Sequence, residues 1–270
     1  MPTIFVINLA RSTERLANSQ RQLAAHGLSF ERIDAIDGAT LTPAQRAINY
    51  SPSLNKQKYH YPLSAGQIGC YLSHRKAWQT IVDRQLDYAI VLEDDFILKN
   101  DLNHTIKNIE QAPIDWQMIK LSAYQNRTHP IAYQVALQHH QHLVIHKKLM
   151  TGCCATAISY HGAKQLLAAT QAFGRPVDCD LQHIWETQVA GYSLLPYPFG
   201  QNHEQVSDIK SRSAARVKKS FLTRKRQQLS SAVNNKFATA AFVKHTKRAL
   251  STSEYKKGAA APFINNVLKQ

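Results

Sequence analysis

Short apolar runs alternate with segments of helical periodicity along the first two hundred residues. Residues 3–9 form a continuous apolar run, typical of a strand buried on both faces of a mainly parallel sheet. The same criteria predict further strands over 30–36, 88–92, 118–121, 155–160 and 192–195. They predict helices over 43–48, 101–112 and 162–173, one helix after Ser12, and one after the S-x-x-Q capping box at 64–67. Residues 49–62 are predicted to form a loop. This alternation predicts an α/β fold with a largely parallel sheet flanked by helices.

The most informative motif is Glu93-Asp94-Asp95, which directly follows the apolar run 88–92. Three adjacent carboxylates repel one another, so the cluster is costly unless a cation lies among them. Ligands of open α/β sheets bind beyond the carboxyl ends of strands, and carboxylate oxygens suit Mg²⁺ or Mn²⁺ on a diphosphate. The motif therefore predicts a divalent cation site, with a solvated turn as the alternative. By itself it does not separate a nucleotide-sugar enzyme from a phosphatase or nuclease.

Several short motifs occur in one order along the chain. They are found at 7–15, 35–38, 63–74, 92–95, 151–152, 157–163, 176–178 and 207–209. In this order they resemble glycosyltransferase family 25, which includes bacterial lipooligosaccharide galactosyltransferases and the catalytic domains of procollagen galactosyltransferases. The resemblance covers residues 3–209, and Gln67 stands where the family usually has Glu.

The resemblance implies a GT-A-type catalytic domain over residues 1–209. It implies an inverting transfer of a hexose, expected to be galactose, from a UDP-sugar to a saccharide of lipooligosaccharide or lipopolysaccharide, assisted by Mn²⁺ or Mg²⁺. Asp95 is then the expected metal ligand, with Glu93 near the ribose or a metal-bound water and Asp94 able to replace either. His203 is the expected second ligand from late in the chain, unless it is an ordinary loop histidine.

Other residues are candidates for binding the donor nucleotide. Arg11 and Arg15 lie at the start of the first predicted helix, where guanidinium groups suit phosphates or uracil, although Arg15 could simply be solvated. Asp37 is either a ribose contact or part of an Asp-Gly turn. His74 is either a phosphate or sugar contact or an interior histidine. The remaining candidates for the donor site are Asn8 and Ser73.

The catalytic base is expected between Pro176 and the next helix. Asp178 is the first candidate, because the proline fixes a loop from which an acid could face the acceptor. Asp180 is the second candidate, unless it serves as the N-cap of the segment 181–187.

Nearly all of the net charge of +15 lies near the C-terminus. Residues 1–209 hold 18 Lys/Arg against 17 Asp/Glu, whereas residues 210–270 hold 15 Lys/Arg and one acid. Apolar residues recur at helical spacing in the basic segment, at Val217, Phe221, Leu222, Leu229, Val233 and Phe237. We therefore expect a basic helical extension over 210–270 that binds an anionic membrane surface, or alternatively packs on the catalytic domain through its apolar stripe.

The N-terminus has no basic leader, so we expect a cytoplasmic protein that is peripheral on the cytoplasmic face of the inner membrane. Four cysteines without CxxC spacing are expected to be reduced core residues. A patch of histidines over 139–146 is expected to be a solvated loop or edge strand. Nucleic-acid binding or nuclease activity is a competing hypothesis that the charge balance of residues 1–209 disfavours. A second competing hypothesis is that the protein is a catalytically silent relative of the family and acts as a binding module.

Overall fold

A computed structural model describes residues 1–99, 102–124, 128–202 and 221–252. The strands are β1 Thr3–Asn8, β2 Glu31–Asp34, β3 Tyr88–Glu93, β4 Phe96–Leu98, β5 Met118–Lys120, β6 Ile131–Ala136, β7 His142–His146, β8 Ala155–Ser159, β9 Gly191–Leu195 and β10 Phe199–Gln201. The helices are α1 Thr13–Ala24, α2 Pro43–Ala47, α3 Pro52–Lys58, α4 Ala65–Asp83, α5 Leu102–Glu110, α6 Tyr160–Ala169, α7 Val177–Asp180, α8 Ile184–Thr187 and α9 Phe221–Thr252.

The main sheet has eight strands in the order β2-β1-β3-β8-β5-β9-β7-β6. β1, β2, β3, β5, β6 and β9 run in one direction, and β7 and β8 run in the other. β4 and β10 form a separate antiparallel pair beyond the carboxyl end of β3. This mostly parallel sheet with helices on both faces confirms the α/β fold class predicted from the sequence.

Side chains of the central strands alternate between two apolar cores, one on each face of the sheet. In β1, Ile4 and Val6 enter one core, which α1, α5 and α9 cover, while Phe5 and Ile7 enter the other. α4 and α6 cover this second core. Burial on both faces explains why β1 and β3 appear in the sequence as continuous apolar runs rather than alternating ones.

α9 confirms the helix predicted in the basic segment and packs against the first core. The Thr246 hydroxyl lies 2.7 Å from the Tyr192 hydroxyl, and the Phe242 ring lies 4.7 Å from the Tyr192 ring. The Thr239 hydroxyl donates a hydrogen bond to the Lys147 carbonyl at 3.1 Å. The expected boundary between residues 209 and 210 lies outside the described residues. No helix in the described ranges is both long and apolar enough to cross a membrane.

Some expectations for local structure were wrong. The segment 49–62, expected to be a loop, contains α3, which begins with Pro52 after the capping residue Ser51. Sequence patterns also missed β4, β6 and β10, which are short or lie at the edge of a sheet. Within the histidine patch, His139 and His140 adopt left-handed turn conformations and the rest belongs to β7, next to the edge strand β6.

Candidate functional site

The three neighbouring carboxylates at the end of β3 contact three different parts of the molecule. The Glu93 side chain contacts α4, Asp94 contacts β1 and α1, and Asp95 contacts β10. Because each carboxylate has its own polar partner, the three side chains can stay close together with less mutual repulsion. The partners differ in charge, and this difference separates the roles of the three residues.

Asp94 is held by groups that were expected to bind the donor nucleotide. The Asn8 amide donates to Asp94 Oδ2 at 2.7 Å, and Arg15 forms an ion pair with Oδ1 at 3.2 Å. Asn8 is itself held by Arg32, whose Nε donates to Asn8 Oδ1. Burial raises the pKa of the Asp94 carboxyl, against the effect of Asn8 and Arg15. These contacts make Asn8 and Arg15 positioning residues for Asp94.

Glu93 contacts two side chains from one face of α4. His74 Nε2 lies 3.0 Å from Glu93 Oε1, and the Cys70 thiol donates to the same oxygen at 3.6 Å. Burial disfavours the charged form of Glu93, but the hydrogen bond and charge of His74 outweigh it and lower the pKa of the carboxyl. His74 is buried, and it supports Glu93 rather than facing solvent. Cys70, expected in the apolar core, is instead partly exposed beside this carboxylate.

Asp95 offers a carboxylate oxygen that can bind a metal ion directly. Its Oδ2 accepts a hydrogen bond from the Gln201 amide at 2.7 Å, whereas its buried Oδ1 has no hydrogen-bond partner among the described residues. Burial, and then the neighbouring Glu93 charge, raise the pKa of this carboxyl to about 6. A buried carboxylate oxygen with a neutral partner on its other side suits a hard divalent cation. The residues present therefore fit the Mn²⁺ or Mg²⁺ predicted from the sequence.

Two residues near the carboxylates were missed by sequence reasoning. Lys120 on β5 is fully buried, and its ammonium donates to the Gly152 carbonyl and lowers the pKa of Glu93 through its charge. Tyr124 lies close enough to Glu93, Asp95 and Asp178 that their charges add to the effect of burial and raise its pKa. The signal for Lys120 was a lysine inside a buried strand, which needs a polar partner. Tyr124 gave no such signal.

The two candidate bases have different surroundings. Asp178 Oδ2 accepts a hydrogen bond from the Gly152 backbone N–H at 3.2 Å, and the Asp178 charge, like that of Glu93, raises the pKa of Tyr124. Asp180 is buried, paired with Arg175 at 2.5 Å, and accepts a hydrogen bond from the Tyr71 hydroxyl at 2.9 Å. Both Asp180 oxygens are therefore used in holding the fold, which favours Asp178 as the base.

The remaining candidates are Arg11, Asp37, Ser73 and His203, and the surroundings of the first three differ. Arg11 and Asp37 form an ion pair with each other, at the start of α1 and after β2, and both stay accessible. Ser73 is wrong as a donor contact, since its buried hydroxyl donates to the Gly69 carbonyl and accepts from the Ile36 N–H. His203 lies outside the described residues.

Comparison with known proteins identifies the class of this fold and site. The model of glycosyltransferase family 25, described as an LPS biosynthesis protein family, matches residues 1–181. The chain therefore belongs to glycosyltransferase family 25.

The curated relatives include proteins named as galactosyltransferases and proteins named as inactive family members. Human procollagen galactosyltransferase 2 is 35% identical over 123 residues, which are 43% of this chain and 20% of that protein. A mouse protein named inactive glycosyltransferase 25 family member 3 is 28% identical over 62% of this chain and 28% of its own length. The chain thus spans only about a fifth to a quarter of the length of these relatives. A solved structure of a Drosophila β1,4-galactosyltransferase 7 mutant, in complex with manganese, UDP-Gal and xylobiose, has a TM-score of 0.40 and 11% identity, covering 84% of this chain and 79% of that one.

The raised pKa of Asp95 predicts a stability cost that the mutation Asp95→Asn removes. The folded state keeps a proton on Asp95 up to a pH of about 6, whereas the unfolded state loses it near the ordinary value of 3.8. The free energy of unfolding therefore falls as the pH rises from about 4 to about 6. In a metal chelator, Asp95→Asn should exceed wild type by about 1–3 kcal/mol at pH 7 and match it near pH 4.

Denaturant unfolding of both proteins across this pH range measures the difference. Adding Mn²⁺ with UDP at pH 7 should raise the unfolding temperature of wild type and leave that of Asp95→Asn unchanged. If wild type is more stable than Asp95→Asn in chelator at pH 7, the Asp95 carboxylate is not destabilised by burial, which would contradict this prediction.

Proposed function

We propose that this protein is an inverting, metal-dependent galactosyltransferase that moves galactose from UDP-galactose to a saccharide of lipooligosaccharide or lipopolysaccharide. The observation that carries the proposal is the buried oxygen of Asp95, which has no hydrogen-bond partner among the described residues and lies beside Glu93 at the end of a central strand, in a chain of glycosyltransferase family 25. The names of the procollagen galactosyltransferases support galactose as the sugar, and the description of the family supports a lipopolysaccharide acceptor.

Asp95, with Glu93 beside it, would hold the Mn²⁺ or Mg²⁺ ion. When bound, the ion supplies positive charge that neutralises the diphosphate as it leaves the sugar. Asp94 takes no metal in this proposal, because Asn8 and Arg15 already occupy both of its oxygens. Their role is to keep Asp94 from repelling the diphosphate and to fix the turn that carries Asp95.

Arg11 and Asp37 would bind the nucleotide. They face each other near the carboxyl ends of β1 and β2, and β1 lies between β2 and β3 in the sheet. The Arg11 guanidinium suits phosphate or uracil oxygens, and the Asp37 carboxylate suits ribose hydroxyls. Because their ion pair is partly exposed, the nucleotide can exchange for it at low cost.

Asp178 would act as the base. The Gly152 N–H holds one carboxylate oxygen, which leaves the second oxygen to accept the proton of the acceptor hydroxyl. Asp178 belongs to α7 and lies close enough to Tyr124 for its charge to raise the pKa of that phenol. The competing acid Asp180, on the same helix, has one oxygen paired with Arg175 and the other bonded to Tyr71. The acceptor would therefore lie between Asp178 and the carboxylates that follow β3.

One face of α9 would attach the protein to the cytoplasmic surface of the inner membrane. Leu229, Val233 and Phe237 recur every four residues, and their exposed fractions are 70%, 48% and 70%. They lie on the side of the helix away from Thr239, Phe242 and Thr246, which pack on the sheet or near it. Their exposure counts against the alternative in which this stripe packs on the catalytic domain.

Cations share that face of α9. At about 100° per residue, Arg226, Lys236 and Lys244 fall within about 60° of Val233, and all three are exposed. An apolar stripe with flanking cations suits the headgroup region of an anionic leaflet, where each cation contributes about 1 kcal/mol. A lipid-linked acceptor would be presented at the same surface.

Turnover of UDP-sugars with and without Mn²⁺ tests the proposed chemistry. UDP-galactose should be the best donor, and Asp95→Asn should lower turnover by more than about 10²-fold because stabilisation of the leaving diphosphate is lost. Asp87→Asn, an exposed aspartate at the opposite end of β3, is the matched control and should keep wild-type turnover. Equal turnover by wild type and Asp95→Asn without metal would refute the assignment, and turnover of no UDP-sugar would favour the silent binding module.

Asp178→Asn tests the base. The amide oxygen can still accept the Gly152 hydrogen bond, so the unfolding temperature should stay near that of wild type while kcat falls by about 10²–10⁴-fold at an unchanged KM for the donor. Asp180→Asn should instead lower the unfolding temperature, because it removes one of the two carboxylates that pair with the buried Arg175. A full wild-type kcat in Asp178→Asn would exclude it as the base.

Sedimentation with vesicles tests the membrane face. The full chain should bind vesicles rich in anionic phospholipid, bind neutral vesicles weakly, and dissociate at high salt. The double charge reversal Lys236→Glu with Lys244→Glu should weaken binding by about 10- to 100-fold. Arg21→Glu with Lys107→Glu changes the net charge equally on other exposed elements and should bind nearly as wild type does. An equal loss of vesicle binding in both double variants would show that net charge alone attracts the protein to the membrane. That result would contradict a specific membrane-binding face on α9.

A further inference from the structure

Three side chains of metal-ligating type meet beside the carboxylate cluster. Cys70 and His74 lie one turn apart on the same face of α4, and Glu93 lies opposite them at the end of β3. Cys70 Sγ, His74 Nε2 and a Glu93 carboxylate oxygen all lie within 4.8 Å of one another. Among the described residues this is the one group of three or more such side chains that is so arranged.

We propose that Cys70, His74 and Glu93 form a second cation site, which takes a thiophilic dication such as Zn²⁺ and, when filled, inhibits the transferase. Thiolate and imidazole favour zinc and its neighbours in the first transition row, whereas Mn²⁺ and Mg²⁺ favour the oxygen of Asp95. The two sites differ in chemistry but share Glu93. Binding at the second site is independent of the proposed function, while the inhibition rests on it.

The distances between the ligand atoms are close to those of a tetrahedral zinc site. Zinc bonds of about 2.0–2.3 Å separate neighbouring ligand atoms by about 3.3–3.8 Å. His74 Nε2 and Glu93 Oε1 are 3.0 Å apart, and Cys70 Sγ and Glu93 Oε1 are 3.6 Å apart. Side-chain shifts of about 1 Å or less would therefore accommodate an ion. Three protein ligands leave a fourth position for water, which can enter because the Glu93 side chain is 24% exposed.

The same contacts explain how the protein remains folded without the ion. Burial, and then the Glu93 charge, raise the pKa of the Cys70 thiol, so the thiol keeps its proton and donates it to Glu93. A bound dication reverses this preference, because it deprotonates a coordinating thiol and releases the proton to solvent. The hydrogen-bonded cluster and the metal-bound cluster thus use the same three side chains.

The consequence for the transferase follows from the shared carboxylate. An ion held by Cys70 and His74 would draw Glu93 toward α4 and neutralise the negative charge beside Asp95. Both effects weaken the attraction of Asp95 for the hard cation that assists the transfer. Excess Zn²⁺ should therefore lower turnover that Mn²⁺ supports.

Co²⁺ is the probe for binding, because a cobalt–thiolate bond absorbs in the near ultraviolet and a cobalt–carboxylate bond does not. Titration of the reduced full chain with Co²⁺ should produce this band, and Zn²⁺ should abolish it by displacement. Cys70→Ser should eliminate the band and weaken Zn²⁺ binding by at least about 10- to 100-fold. His74→Gln is a second ligand variant and should weaken Zn²⁺ binding similarly. Cys179→Ser is the matched control, since Cys179 is also partly exposed, and should keep the band.

A band that is absent, or that persists in Cys70→Ser, would overturn the proposed site. In the turnover assay with saturating Mn²⁺, added Zn²⁺ should remove a larger fraction of activity from wild type and Cys179→Ser than from Cys70→Ser, whatever the basal rate of each. Equal inhibition of all three would overturn the inhibitory role. A cobalt–thiolate band in a protein without activity on any UDP-sugar would contradict the proposed function and leave the cation site standing.

Discussion

The site depends on one electrostatic constraint: three adjacent carboxylates must be kept charged, or nearly so, where a buried strand ends. The protein meets this constraint by giving each carboxylate a partner from a different element. Arg15 and Asn8 hold Asp94, His74 holds Glu93, and a neutral amide from β10 holds Asp95. The order of strands in the sheet makes this possible, because β1 lies beside β3 and β10 folds back on β4.

The close packing of α4 brings His74 within reach of Glu93. A Cβ on Gly38 would overlap the Ala65 carbonyl, and a Cβ on Gly69 would overlap the Ile36 carbonyl. These two glycines let the loop after β2 lie directly on the first turns of α4, which sets how closely the helix approaches the sheet. His74, one to two turns further along, then reaches Glu93 at 3.0 Å. Gln67, where the family usually has Glu, completes the capping box of this helix, a role that an amide fills as well as a carboxylate.

The sequence was most informative where burial alone determines structure. Continuous apolar runs correctly predicted β1 and β3, and the acidic motif gave the position of the candidate site, because both depend on local composition. Sequence patterns failed for β4 and β10, which are short and pair only after the fold has brought them together. They also failed for Ser73, whose hydroxyl looks available in the sequence but hydrogen-bonds to backbone atoms. Which partner each polar group takes is a property of the packed structure.

The choice of partners explains why Asp95 differs from its neighbours. A cation beside Asp95, like those beside Glu93 and Asp94, would stabilise the protein and compete with a metal ion for the same charge. The Gln201 amide instead satisfies one oxygen without neutralising the carboxylate, and burial leaves the other oxygen without a partner in the described part of the chain. Burial and the neighbouring Glu93 charge raise the pKa of Asp95, and a bound dication would stabilise the charged form that they disfavour. Asp94 pairs with Arg15 and Glu93 contacts His74, whereas the Asp95 carboxylate accepts its hydrogen bond from a neutral amide, and this difference supports the proposal that a cation binds at Asp95.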